Sequence, residues 1–106
     1  MTKQEIKEKI RRAVKNDPNK EYIKSISLFG SYLHGDYKKR SDIDLLVGLK
    51  NGATLFTLVD IQFNFEKYLD RKVDLVEKSS LSKYFKDEVL KEAEKIYEKR
   101  QRRNVS

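Results

Sequence analysis

The sequence predicts a small α/β (α+β) domain in which helices pack against a mixed sheet of three or four strands. Two observations lead to this prediction. Segments with apolar residues at helical spacing alternate with short apolar runs of strand length. Their order along the chain is helix, strand, short helix, strand, helix, strand, helix, which is typical of helices layered on a sheet. At 106 residues, we expect one domain over residues 1–106, with a basic tail from about residue 99.

Apolar spacing gives the bounds of each predicted element. The predicted strands are residues 25–29, 41–48 and 72–76. The predicted helices are residues 2–16, a short turn at 31–34, residues 55–69, and a last helix capped by Ser80 or Ser82. That last helix is expected to carry Phe85, Val89, Ala93, Ile96 and Tyr97 on one face. Thr54 is the predicted N-cap of the helix at 55–69.

Composition limits the kinds of protein that the chain can be. No apolar run approaches the ~20 residues needed to cross a bilayer, so no membrane association is expected. Cysteine is absent, which excludes disulfides and thiolate metal sites and fits a cytoplasmic protein. The net charge of +7 predicts attraction to phosphate groups. The basic tail is interpreted as a frayed terminus, and any nucleic-acid partner would be bound through it.

Two carboxylates in the second predicted strand are the most informative feature. Asp42 and Asp44 are two residues apart, so they share one face of the strand. Burying two unpaired carboxylates side by side is costly, and divalent cations relieve that cost. Mg²⁺ prefers one or two protein carboxylates, completed by substrate phosphates and water. An Asp-x-Asp pattern is often only a solvated edge, but this strand is apolar around its acids, which favours a metal site.

A Gly-Ser pair precedes these acids and suits the phosphate end of a nucleotide. Gly30 ends the first predicted strand and lets backbone approach a ligand closely. If a short helix begins at Ser31, its free N–H groups favour an anion there. A Gly-Ser pair alone is a common turn. Ten residues separate Ser31 from Asp42, and only this combination is specific.

Asp74 is the third candidate carboxylate because it also lies inside an apolar strand. Two-metal sites usually need a further acid to hold the ion that activates the nucleophile. Asp74 could instead be an edge residue that faces water. Glu66 and Glu77 are weaker candidates, which we expect to face solvent.

Taken together, these residues resemble the nucleotidyltransferase superfamily related to DNA polymerase beta, and more narrowly the prokaryotic minimal nucleotidyltransferases. The resemblance extends from about residue 26 to residue 97. It includes the Gly30-Ser31 pair, Gly35, residues 41–47, the strand around Asp74 and residues 89–93. It implies the nucleotidyltransferase fold.

The resemblance also implies a reaction, which is transfer of AMP from ATP with release of pyrophosphate. Gly30 and Ser31 would hold the β- and γ-phosphates. Asp42 and Asp44 would hold the Mg²⁺ bound to the triphosphate. Those two acids and Asp74 would hold a second Mg²⁺ that lowers the pKa of an acceptor hydroxyl, and Asp74 is a candidate to take its proton.

The resemblance implies a protein partner as well. Minimal nucleotidyltransferases pair with HEPN-domain ribonuclease toxins, and some inactivate the toxin by transferring AMP to a tyrosine. We therefore expect an antitoxin that AMPylates a HEPN toxin. Relatives often carry arginines where this chain has Tyr32 and His34, which places nucleotide affinity in question. Lys38, Lys39 or Arg40 could supply the missing charge.

Two alternatives stay open at this point. The chain could neutralise a toxin by binding alone, which the changed Tyr32 and His34 motivate. It could also be a free-standing nucleotidyltransferase acting on a small molecule or an RNA end, to which the basic tail gives slight support.

Overall fold

Four strands form one mixed sheet in the order β3-β2-β1-β4. The computed structural model describes residues 1–30, 42–81 and 83–99. The strands are β1 (Ile23–Phe29), β2 (Ile43–Leu49), β3 (Val73–Glu77) and β4 (Glu94–Glu98). Strand β2 pairs with β3 in parallel, and β1 pairs antiparallel with both β2 and β4. The predicted α+β fold with a mixed three- to four-stranded sheet is confirmed.

In the described ranges, three helices accompany the sheet: α1 (Lys3–Lys15), α2 (Leu55–Leu69) and α3 (Lys83–Glu92). The short helical turn expected at 31–34 lies outside those ranges. The predicted cap of α2 is confirmed, because the Thr54 side chain accepts a hydrogen bond from the Thr57 N–H, and the Thr57 hydroxyl accepts one from the Thr54 N–H. Asp70 ends α2 in the left-handed conformation, with φ 51°. None of the helices in the described ranges is long and apolar enough to cross a membrane.

The core lies between the sheet and the helix pair α1–α2. Alternate residues of each strand face the helices, as the period of two requires. Their buried side chains meet one apolar face of each helix. The core consists of Ile6, Ile10, Ala13 and Val14 of α1, Ile61, Phe65 and Leu69 of α2, and Ile23, Ile26, Leu28, Ile43, Leu45, Val47, Val73, Leu75 and Ile96 of the strands. The predicted apolar face of the first helix is therefore the face that is buried.

The last predicted helix was wrong in its second half. Helix α3 ends at Glu92, and residues 94–98 form β4 on the free edge of β1. That edge would otherwise leave backbone N–H and C=O groups without partners, and pairing satisfies them. Ile96 therefore enters the core from a strand. Ser80 is also not the cap, since its hydroxyl donates to the Glu77 carbonyl within a 3₁₀ turn, and Ser82 lies outside the described residues.

The apolar stripe of α2 is narrower than its sequence suggests. Ile61, Phe65 and Leu69 are buried and Leu58 is half-buried, but Leu55 and Val59 are exposed. The helix contacts the sheet along one line of residues spaced four apart. Phe56 and Phe63, on its other sides, are left at the surface.

A buried acid ties α1 to α2 away from the sheet. Asp17 is only 6% exposed. One of its oxygens accepts from the Asn19 N–H at 2.7 Å, and the other accepts from the Asn64 side-chain amide at 2.8 Å. The same amide nitrogen donates to the Ala13 carbonyl at 3.3 Å. These bonds fix where the chain leaves α1 and which flank of α2 lies against it.

We expect Asn64→Ala to destabilise the protein by about 1–3 kcal/mol, because it leaves the buried Asp17 carboxylate short of a donor. Urea unfolding of the variant and of Asp60→Ala measures the difference. Asp60 is exposed on the same helix, so its replacement controls for the change to alanine. Equal stability of the two variants would contradict the role of the Asn64 amide.

Candidate active site

The parallel pairing of β2 with β3 brings two of the predicted acids together. Asp44 stands opposite Asp74 in the register, on strands that lie about 4.8 Å apart. Their neighbours Ile43, Leu45 and Val73 point into the core, so the two carboxylates lie on the face of the sheet that α1 and α2 do not cover. Asp42 precedes β2 and is exposed.

The charges of Asp42 and Asp74 act on Asp44. The pKa of Asp44 is raised, first because partial burial removes water from its carboxylate, and then because the charges of Asp74 and Asp42 repel its own. A carboxylate under this kind of repulsion attracts a cation. The site therefore has the electrostatic character that oxygen-binding divalent ions require.

Gly30 is packed directly against Asp44. It follows β1 with φ +77°, a conformation that favours glycine. A Cβ built on Gly30 would lie 2.2 Å from Asp44 Oδ2 and 2.9 Å from its Cγ. No side chain fits there unless Asp44 moves. One role of this glycine is thus to make room for the carboxylate, a role that the phosphate argument from the sequence missed.

Glu66 contributes to the site from α2, although it was expected to face solvent. It is half-buried, and its Oε2 accepts a hydrogen bond from the Val73 N–H at 3.0 Å. On the other side of β3, the Ile43 N–H donates to the Lys72 carbonyl at 3.0 Å. The first residues of β3 are therefore held from both sides, next to Asp74. No pattern in the sequence marks an acid that reaches the strand after its own helix.

The structure brings together four of the five predicted site residues. Gly30, Asp42, Asp44 and Asp74 are grouped at the end of the sheet where β2 and β3 begin. Ser31 lies outside the described residues, as do Tyr32, His34 and the basic segment 38–40. Within the described ranges, no group of three or more His, Cys, Asp or Glu residues is arranged so that it could hold a metal ion. The acids are neighbours that do not converge on one point.

Comparison with known proteins places this arrangement in a family. Residues 8–102 match the family described as "Polymerase beta, Nucleotidyltransferase". A candidate protein adenylyltransferase of Methanocaldococcus jannaschii is 38% identical over 74 residues, which cover 70% of this chain and 80% of that protein. The protein adenylyltransferase MntA of Thermococcus cleftensis is 37% identical over 70 residues, which cover 66% and 71%.

A solved structure shares the fold as well. A toxin–antitoxin crystal structure with AMP-PNP superposes with a TM-score of 0.71 at 26% identity, over 88% of this chain and 73% of that one. The match to the family spans the strands, the glycine and all three acids described above. The chain belongs to the polymerase beta nucleotidyltransferase family.

Proposed function

We propose that this chain is a protein adenylyltransferase that transfers AMP from ATP to a hydroxyl of a partner protein. The observation that carries the proposal is the pairing of Asp44 with Asp74 on the face of the sheet opposite α1 and α2, with Asp42 beside them. Relatives that cover two thirds or more of the chain are named protein adenylyltransferases. The nucleotide AMP-PNP in a structure of this fold supports ATP as the donor.

The residues fit a site for two Mg²⁺ ions in chemical type. Asp42, Asp44 and Asp74 offer only hard oxygen donors, and the repulsion that raises the pKa of Asp44 is what bound cations would relieve. When bound, such ions neutralise the phosphate charge and acidify the acceptor hydroxyl. The acids would hold them, and Gly30 and Ser31 would hold the β- and γ-phosphates. Asp74 would then accept the hydroxyl proton as AMP is transferred and pyrophosphate leaves.

We further propose that the acceptor is a tyrosine of a HEPN ribonuclease toxin and that the chain acts as its antitoxin. The toxin–antitoxin structure with AMP-PNP supports a toxin as the partner. ATP and an RNA-cleaving toxin meet inside the cell, so the cytoplasm is the proposed location. Asp44 and Asp74 lie on the face of the sheet opposite α1 and α2, where the partner's hydroxyl would be presented.

Intact-mass spectrometry tests the proposal directly. We expect the co-encoded toxin to gain one or more AMP masses when it is mixed with this chain, ATP and Mg²⁺. Asp42→Asn and Asp44→Asn should reduce the rate by a factor of 10² or more, since much of the catalysis comes from charge neutralisation. Asp60→Asn removes an exposed acid from α2 and should leave the rate unchanged.

Two results would contradict the proposal. An unmodified toxin in a stable complex would indicate neutralisation by contact alone. AMP transfer to a small molecule or to RNA without the toxin would indicate a free-standing enzyme.

Gly30→Ala is expected to reduce the activity of the site more strongly than it reduces the stability of the fold. The added methyl group meets the Asp44 carboxylate and displaces it, so AMP transfer should fall at least tenfold. Gly52→Ala is the matched control, because Gly52 also has a positive φ of +97° but a Cβ there would lie 3.6 Å from its nearest neighbour, Tyr22 Cε1. Both variants should lose about 1–3 kcal/mol of stability from backbone strain. A similar loss of activity in both would contradict the role of Gly30.

The raised pKa of Asp44 makes its own contribution to the stability of the cation-free protein fall as pH rises. The folded state holds the Asp44 proton to a higher pH than the unfolded state does, so its contribution to stability is present at low pH and is lost as pH rises through the folded pKa. In buffer with chelator, Asp44→Asn should therefore gain stability relative to the parent chain between about pH 4 and pH 7. Thermal unfolding at the two pH values measures this. A relative stability that does not change with pH would contradict it.

A further inference from the structure

Three lysines converge at the end of the sheet opposite the acids. Lys50 follows β2, and its N–H donates to the Tyr22 carbonyl at 2.9 Å. Lys99 follows β4, and its N–H donates to the Lys24 carbonyl at 2.8 Å. Both bonds reach the beginning of β1, where the 3₁₀ turn Lys20–Tyr22 contributes Lys20. Lys20, Lys50 and Lys99 are called the lysine cluster below.

The cluster brings positive charges together with little compensation. The nearby ammonium of Lys50 is the main reason that the pKa of Lys99 is lowered, and Lys20 adds to the effect against the charge of Glu21. The Lys99 ammonium also donates to the Glu21 carbonyl at 3.4 Å. Glu98, next in the chain, is paired with Lys95. In the part of the chain that the structure describes, none of the three ammoniums forms an ion pair with a carboxylate.

An aromatic ring stands beside this charge. Tyr22 is 39% exposed. Its ring lies by the turn after Lys50, since a Cβ on Gly52 would be 3.6 Å from Tyr22 Cε1. Binding sites for single-stranded nucleic acid combine two features. Cationic groups follow the phosphate backbone, and an aromatic ring beside them allows a base to stack. A free phosphate or an acidic peptide would bind to the ammonium groups and would not need the aromatic ring.

We propose that the lysine cluster and Tyr22 form a binding site for single-stranded nucleic acid, separate from the nucleotidyltransferase site. Strand β2 separates the two sites by about 20 Å, the length of its seven residues. The ligand is recognised by its phosphodiester backbone and its bases, so RNA and DNA share the chemistry.

Fluorescence anisotropy with the full chain tests the proposal, using labelled 12-nucleotide oligo-U RNA and oligo-T DNA of the same length. The variant Lys20→Gln/Lys50→Gln/Lys99→Gln should bind at least tenfold more weakly. The slope of log affinity against log salt should become shallower by about 2, because single strands release roughly 0.7 counterions for each phosphate contact. The matched variant Lys9→Gln/Lys67→Gln/Lys91→Gln has the same net charge and should change affinity less than threefold. The RNA and DNA titrations show which strand is preferred.

Tyr22 supplies the second, independent measurement. Tyr22→Ala should weaken binding by roughly fivefold or more without changing the salt slope, and Tyr22→Phe should restore it, because stacking needs the ring and not the hydroxyl. Equal weakening by the two triple variants would overturn the site in favour of general charge. Competition by poly-glutamate as strong as that by RNA, with no effect of Tyr22→Ala, would overturn it in favour of an acidic protein partner. AMP transfer by the triple variants should remain normal, which separates this test from that of the proposed function.

Discussion

The structure depends on the fact that both helices of the core cover the same face of the sheet. Helices α1 and α2 bury every second residue of the strands, and the alternation of a strand then commits the remaining residues to the other face. Asp44 and Asp74 are among those residues, at paired positions of β2 and β3. The apolar core on one side thus fixes where the acids stand on the other. The repulsion that results is a cost to folding, which the burial of apolar neighbours such as Ile43, Leu45 and Val73 offsets.

Parallel pairing adds a second constraint. Parallel strands need a crossover connection, and α2 is that connection between β2 and β3. Because α2 also packs on α1, its position is determined twice, once by the core and once by the bond from Asn64 to Asp17. Glu66 on the same helix then holds the beginning of β3 through the Val73 N–H. Helix α2 therefore positions Asp74 as well as completing the core.

Much of this could be predicted from the sequence because the signals are local. The helical spacing of Ile6, Ile10 and Ala13 defines α1, and Thr54 marks the start of α2. What could not be predicted depends on pairing between distant segments. Residues 94–98 follow a helix with little to separate them from it, and they become a strand only because β1 offers a free edge. The bond of Glu66 and the meeting of Lys50 with Lys99 likewise arise only once the strands are in register.

The contact between Gly30 and Asp44 has a consequence for how such a site can vary. A Cβ at position 30 would lie within 3.0 Å of three atoms of the Asp44 side chain, so the two positions are not free to change independently. Any residue larger than glycine at 30 requires a smaller or displaced side chain at 44, and the carboxylate is then lost from its place opposite Asp74. We therefore expect the residues at positions 30 and 44 to change together. A related protein that has lost the activity no longer needs glycine at position 30 or aspartate at position 44. A design that moves this site to another sheet must include the glycine together with the aspartate.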